Sequence, residues 1–416
     1  MSTVYQFGSS AQSIQAGACP AIQAPEAASP LGTYASSVTP PPAVRPGARE
    51  RDIIATNRAE RYRLLSAARS ILVAAGRRAG KEYPHNYHRT AKCKFIQRGS
   101  EYVSVYIAPE HGAAFYTGLV TCGSVWACPI CAAKVQERRR EEISRAIDWG
   151  YDSGYQVVMV TLTFPHQIWH KLGDLLQQQA KALQRLRAGQ PWKRFESLIG
   201  FQGLIRALEL THGPNGWHPH THELWFVKKN ANAEDLRKEI TEKWESACIR
   251  AGLLSPAKVA DFREYAVNVK GNCSNSDYLA KHDDSKNWGV DREIAKASTK
   301  AGKEKGLHPF GLLARAAEGD RRSARLFLIY AIAIKGRRQL VWSPGLKDRI
   351  SLSDKSDEIL AEESVEVADL LGMLSTEDWR TVRTAGARAQ VLRAAEQGGW
   401  KSVQRLLDSL CEPDAG

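Results

Sequence analysis

Three histidines, His218, His220 and His222, stand at alternate positions in the run WHPHTHEL. Successive side chains of a strand point to opposite faces, so all three share one face, about 6–7 Å apart in steps of two. Two neutral imidazoles at that spacing can grip one divalent ion from a rigid platform and leave coordination positions open. The run is joined to GLIRALELT (203–211) by HGPNG, whose Asn-Gly is a turn signal. A hairpin centred between Pro214 and Asn215 sets Glu209 opposite His220. One carboxylate beside two histidines suits Mg²⁺ or Mn²⁺ assisting phosphoryl chemistry. His218 is a further candidate ligand, or a flanking contact to the substrate. A lone histidine more often decorates a strand end, but three alternating ones facing a glutamate favour a metal site.

In SDYLAKH (276–282), Tyr278 and Lys281 are three apart and share a helical face. A phenol with a pKa near ~10 is a poor nucleophile at neutral pH unless a cation or base favours the phenolate. A metal polarising a phosphate under attack, with Lys281 neutralising developing charge, would meet that need. The motif alone is unspecific, and an aromatic packing a helix is the ordinary reading. Its place, one strand and one helix after the histidines, raises it above Tyr265 and Tyr330. Tyr330 sits in the apolar run LFLIYAIAI and reads as core.

Eight cysteines occur, three of them as Cys122-x5-Cys128-x2-Cys131. In an intracellular chain this spacing favours metal over disulfides. Cys93 is the best fourth ligand for a closed, structural tetrahedral Zn²⁺ site, with buried free thiols as the alternative. Lys134, Arg138, Arg139, Arg140 and Arg145 follow on a helix that could lie along nucleic-acid phosphates or form a solvated charged face. Phe164, Trp169, Trp217 and Trp225 could stack unpaired bases, although core packing is the commoner role. Trp342, with Arg337 and Arg338 close by, is the better candidate for a DNA contact.

The elements that must position these groups can be read from pattern. Residues 1–50, rich in Ala, Ser, Pro and Gly, read as a disordered tail. Residues 51–150 form a helical and Cys-rich zinc module: a basic helix at 51–80 with Ile53, Ile54, Leu64, Leu65, Ile71 and Leu72 on apolar stripes, then β-like runs at 102–107 and 114–120, then a basic helix at 132–149. VVMVTLTF (157–164) is a buried strand, 171–188 a helix, and 203–211 with 217–227 the hairpin. Asn232 caps a helix running to Ala251. EYAVNVK (264–270) is a strand, 276–282 a short helix, and RRQLVW (337–342) a strand. Residues 351–416 form an acidic helical tail. The order predicts an α+β domain over 151–350, with a central antiparallel β-sheet flanked by helices.

The net charge is +13, yet residues 351–416 carry seven Lys/Arg against thirteen Asp/Glu, so the basic excess lies in the body. Such a body suits a polyanionic partner, most simply nucleic acid. No stretch approaches the ~20 apolar residues of a membrane span. The first residues, MSTVYQFGSSAQ, lack a basic start and an apolar run, so a cytoplasmic protein is expected.

MVTLTFPH, GWHPHTHELWF and YLAK, in that order, resemble the motif set of rolling-circle plasmid replication initiators, a branch of the HUH endonucleases. CGSVWACPICAAKVQERRREE and IKGRRQLVWSPGLK look like the same family, and the resemblance spans roughly residues 85–350. It implies an RRM/ferredoxin-like antiparallel sheet with the histidines on a central strand and a bacterial, cytoplasmic enzyme. It makes His220 and His222 metal ligands, Glu209 a third, and Tyr278 the nucleophile with Lys281 beside it. The implied activity nicks and rejoins one DNA strand through a 5′-phosphotyrosine, leaving a 3′-hydroxyl primer. The implied partners are a hairpin at the plasmid double-strand origin, a host helicase and a host DNA polymerase. Two departures stand out. Thr221 replaces the large hydrophobe between the histidines. Ser274 occupies the position where some relatives carry a Glu for termination, and the neighbouring Asp277 would point elsewhere on a helix. Competing readings are an HUH transposase or relaxase and a non-catalytic zinc-bearing DNA-binding regulator. Relaxases commonly place the tyrosine before the histidines, and a regulator would leave the His–Glu–Tyr set idle.

Overall fold

Val157, Val158, Met159 and Val160 form the buried centre of a strand, as the β-branched run predicts. A computed structural model of the chain describes residues 47–99, 102–110, 112–273, 306–362 and 368–411. In it this strand, β3 (Tyr155–Leu162), lies within a five-stranded sheet. Its neighbours are β4 (Gly203–Gly213), β5 (Gly216–Lys228), β6 (Val267–Lys270) and β7 (Leu340–Trp342). The order is β6-β3-β5-β4-β7, and every pair is antiparallel.

The two faces of this sheet have different cover. On one, Val158, Val160, Leu162, Leu204 and Trp225 pack on α3 (Leu172–Leu186), α4 (Gly189–Ile199) and α5 (Ala233–Ala251). On the other, Val157, Met159, Ile205, Leu224 and Phe226 pack on Ile143, Ala146 and Ile147 of α2 (Pro129–Asp152) and on Leu346 of α9 (Leu346–Arg349). Each large side chain removed from water here contributes roughly 1.5–3 kcal/mol. Along β3 and β5 this second apolar cover ends at Met159 and Leu224. The next positions toward the hairpin on that face are polar: Thr161, His222, His220 and Glu209. A polar half-face therefore lies beside an apolar half-face that fixes the strands.

A second sheet, of order β2-β1-β8, joins β1 (Val103–Ala108), β2 (Ala113–Thr117) and β8 (Asp369–Leu374), all antiparallel. Its core brings Val103, Val105 and Tyr116 onto Tyr62 of α1 (Ala48–Arg78), Trp379 of α11 (Thr376–Thr384), and Val391 and Leu392 of α12 (Arg388–Cys411). The tail over 351–416, expected to be helical, also contributes a strand, because β8 pairs with a strand more than 260 residues earlier. The remaining helices are α6 (Val259–Tyr265), α7 (Pro309–Ala317), α8 (Arg321–Ala333) and α10 (Asp357–Glu362).

The chain is thus mixed α and β, with antiparallel sheets flanked by helices. Smaller corrections are local. Ile53 and Ile54 are exposed, and α1 instead buries Leu64, Leu65, Ala68 and Leu72. Residues 264–265 close α6 rather than open a strand, and α4 was not anticipated. Asn232 caps α5 as expected, accepting from the amides of Glu234 and Asp235. No helix among the described residues is long and apolar enough to cross a membrane.

Candidate metal centres and nucleic-acid interface

Glu209 and His220 are directly paired across the β4–β5 hairpin, the register expected from a turn at Pro214-Asn215. Gly216 closes that turn at φ +85°, and a Cβ there would fall 2.8 Å from the Ile168 Cα. Glycine is therefore required both by conformation and by the close approach of the loop at 163–171.

The two rings converge on one carboxylate. The Glu209 Oε2 lies 3.4 Å from His220 Nε2 and 3.2 Å from His222 Nε2. The opposite nitrogens are held in place. His220 Nδ1–H donates to the His218 carbonyl at 3.3 Å, and His222 Nδ1 is 3.0 Å from the Thr161 hydroxyl. Fixing Nδ1 in this way leaves Nε2 as the ligating nitrogen, as is usual for metal-binding histidines. Burial works to raise the Glu209 carboxyl, but hydrogen bonds from His220 and His222 overcome it and hold it far below the usual carboxylate range. For His220 burial pushes downward, and the Glu209 carboxylate outweighs it, so this imidazole is raised.

Glu209, His220 and His222 could hold one metal ion. Ligands about 2.1 Å from an octahedral ion stand about 3 Å apart, so separations of 3.2–3.4 Å need only a slight contraction. The Glu209 side chain is 29% exposed, which leaves the centre open to a substrate on one side.

His218 stands outside this group. Its Nε2 is 2.6 Å from the Thr163 hydroxyl, and its ring is stacked between His166 (4.6 Å) and His220 (4.7 Å). Burial first, then the neighbouring imidazoles, pull its pKa down to about 3. Thr161, Thr163 and His166 were not singled out from sequence. The alternating threonines of TLTFPH carried the signal, which needs the β3–β5 register to be read.

The four expected cysteines form a second, fully buried group. Cys93 and Cys131 sulfurs are 3.6 Å apart, Cys93 and Cys128 also 3.6 Å, and Cys122 and Cys131 3.8 Å. A tetrahedral ion with metal–sulfur bonds near ~2.3 Å has edges of about 3.8 Å, so the donor set fits Zn²⁺. The Ser124 amide donates to the Cys122 sulfur, and the Thr90 hydroxyl lies 3.7 Å from it. Cys128 is the N-cap of α2, whose later turns cover the sheet, so one 24-residue helix links the cysteine group to the histidine strand.

Tyr278 and Lys281 lie outside the described residues. Those residues run to Cys273, whose amide donates to the Val157 carbonyl, and resume at Gly306, beside Leu307, which pairs with His212. Tyr330 is core: its hydroxyl donates to the Trp126 carbonyl, and its ring stacks on Trp217. Tyr265 is 70% exposed, with its phenol raised by a hydrogen bond to the Glu264 carboxylate. Phe164, Trp217 and Trp225 are buried, whereas Trp169 is 73% exposed.

Of the basic candidates, Arg138 and Arg140 form exposed pairs with Glu141 and Glu137. Arg139 is largely buried and holds Glu142, Asp357 and the Lys355 carbonyl, fastening α10 to α2. Arg337 reaches the Leu176 carbonyl, Arg338 is exposed, and Trp342 is half-buried beneath the Lys347 ammonium.

Residues 119–383 match the family model described as replication protein. The chain is 28% identical over 356 residues to Protein rep of Streptomyces lividans, covering 68% of this chain and 77% of that relative. It is 32% identical over 191 residues to the Neomycin resistance protein of Streptomyces cyanogenus, covering 38% of this chain and 43% of that one. No solved structure matches. With nearly two thirds of its length matched, the chain belongs to the replication protein family, that of the rolling-circle plasmid Rep initiators.

Proposed function

We propose that this plasmid replication initiator is an HUH-type DNA endonuclease that nicks and rejoins one strand at its origin through a tyrosine nucleophile. The observation that carries the reading is the convergence of His220 and His222 Nε2 on Glu209 at the polar half of an antiparallel sheet. The sheet then corresponds to the RRM-like platform of such enzymes. Glu209, His220 and His222 would hold Mg²⁺ or Mn²⁺, and the four cysteines a structural Zn²⁺. A divalent ion bound there supplies Lewis-acid polarisation of the scissile phosphate.

The chain's own residues carry the rest. Tyr278 Oη attacks phosphorus and gives up its proton, and the bond to the 3′ oxygen breaks. That oxygen leaves with the electron pair and takes up a proton, giving a 3′-hydroxyl and a 5′-phosphotyrosine. Lys281 neutralises charge on the phosphate oxygens as the bond forms. The second step reverses the first with a new 3′-hydroxyl, so no ATP is needed. Chain reach supports Tyr278: it is five residues past Cys273, up to about 17 Å of extended chain. Cys273 is anchored at Val157, four strand steps or about 13 Å from Thr161.

The 3′-hydroxyl would prime a host DNA polymerase while a host helicase unwinds ahead, in the bacterial cytoplasm. Arg338 and Trp342 are proposed origin contacts, with Arg138, Arg140 and Arg337 as weaker ones. Arg139 is committed to holding α10. The test is a labelled single-stranded origin oligonucleotide incubated with Mn²⁺ and either wild type or Tyr278→Phe. A metal-dependent covalent adduct on a denaturing gel is expected for wild type alone. Adduct formation by both proteins would overturn the assignment of Tyr278.

A further inference from the structure

Among the described residues, the two most exposed large apolar side chains, Trp169 at 73% and Tyr265 at 70%, both lie at the C-terminal end of β3. That end is the one next to the histidine centre. Thr163, just past β3, joins all three places. Its hydroxyl meets His218 Nε2, and its amide donates to the carbonyl of Ala266, the residue after Tyr265. Three residues further on is His166, whose ring continues the stack from His220 through His218 toward the loop that carries Trp169.

Trp169 is not on a slack loop. The Gln167 amide donates to His170 Nδ1 at 3.1 Å, and the His170 amide donates to the Gln167 carbonyl at 3.0 Å. The Ile168 backbone sits against Gly216 of the hairpin, closer than any Cβ would permit. A tight turn pinned on both sides thus presents an indole to solvent, and Ile168 beside it is also exposed, at 56%. Tyr265 is likewise fixed, at the last position of α6, between the exposed Glu264 and the buried Ala266. The other aromatics of this region, Phe164, Trp217 and Trp225, are buried in the core and unable to meet a ligand.

We infer that Trp169 and Tyr265 are stacking platforms for unpaired bases of a DNA single strand, both at the end of β3 that borders the Glu209–His220–His222 centre. The inference rests on reading that centre as the place where a strand is cut. Aromatic platforms accept any base because every base has a π face, while phosphates supply the charge attraction to a basic chain. Two platforms beside the centre hold a strand close to it without contacting the scissile phosphate. This gives Tyr265 a role as a ring and not as a nucleophile.

The test is fluorescence anisotropy with a 5′-fluorescein-labelled thymidine 20-mer and with an abasic 20-mer, in buffer without added divalent metal or chelator. The proteins are full-length wild type, Trp169→Ala, Tyr265→Ala, the double variant, Trp169→Phe and Tyr265→Phe. Each alanine variant should bind the thymidine 20-mer about tenfold more weakly, the double variant about a hundredfold, and the phenylalanine variants within about threefold of wild type. All should bind the abasic strand equally weakly and keep the wild-type melting temperature. Alanine variants within about twofold of wild type, or a wild type that holds both strands equally, would overturn the inference. If wild type forms no tyrosine adduct while the alanine variants still lose affinity, the nicking reading fails and the platforms stand.

Discussion

The Thr161 hydroxyl lies 3.0 Å from His222 Nδ1, so a side chain on β3 orients an imidazole on β5 whose other nitrogen faces Glu209. Groups that hold the far nitrogen of a metal-binding histidine tune affinity by about 10–100-fold. Thr161→Val keeps the shape and removes the hydroxyl. We expect Mn²⁺ affinity, measured by calorimetry, to fall about tenfold or more with no loss of thermal stability. An unchanged dissociation constant would show that Thr161 does not act on the centre.

Glu209 contributes the charge. Glu209→Gln retains volume but takes away the carboxylate shared by His220 and His222. Mn²⁺ binding should weaken by more than about a hundredfold, since a ligand outranks its supporting partners. Strand cleavage should fall with it, while binding to single-stranded DNA persists. Cleavage at the wild-type rate would remove Glu209 from the ligand set.

The pH dependence has opposite signs with and without metal. In the metal-free protein burial lowers His220 but Glu209 outweighs it, so the folded imidazole is raised. A histidine raised on folding contributes stability that is full below its unfolded value of about 6.5 and is lost as pH climbs through the folded value. Metal needs the neutral ring, so protons compete as pH falls below that raised value, up to about tenfold per unit for each proton displaced. Mn²⁺ titrations and thermal melts over roughly pH 5.5–8.5 should show a metal-induced rise in melting temperature that grows with pH. A rise that shrinks with pH would contradict the geometry.

The cysteine group makes a stability prediction. It joins the end of the short 3-10 helix Arg89–Lys92 to the start of α2, so a metal bound there would be part of the fold. Purified protein should carry one Zn²⁺ per chain by elemental analysis. Cys128→Ser should lower the melting temperature by about 10 °C or more. A metal-free protein with reduced thiols and full stability would rule this out.

Much of the centre was legible in the sequence because its parts are local. The His218–His222 alternation, a two-residue turn and simple counting placed Glu209 against His220, and the Cys-x5-Cys-x2-Cys spacing announced a cluster with Cys93 as its fourth member. What was hidden depends on pairings between distant segments. Thr161 and Thr163 support the histidines only because β3 lies beside β5 in one register. The strand β8, Asp-Leu-Leu-Gly-Met-Leu, has no clean alternation, and its partner β1 is far away in sequence. Arg139 sits in a run that reads as a basic stripe, and its partner Asp357 appears only when α10 folds onto α2. Ile53 and Ile54 fit a helical stripe, but no described residue buries that end of the stripe.

One covalent bond, between Tyr278 and the cut strand, decides the proposed function. Wild-type protein, Mn²⁺ and a single-stranded origin oligonucleotide should yield an adduct that, after protease and nuclease digestion, gives a nucleotide-bearing peptide by tandem mass spectrometry. The expected product is a 5′-phosphodiester on Tyr278, dependent on metal and absent from Glu209→Gln. A modified Tyr265 or Tyr330, or efficient cleavage with no covalent peptide at all, would contradict it.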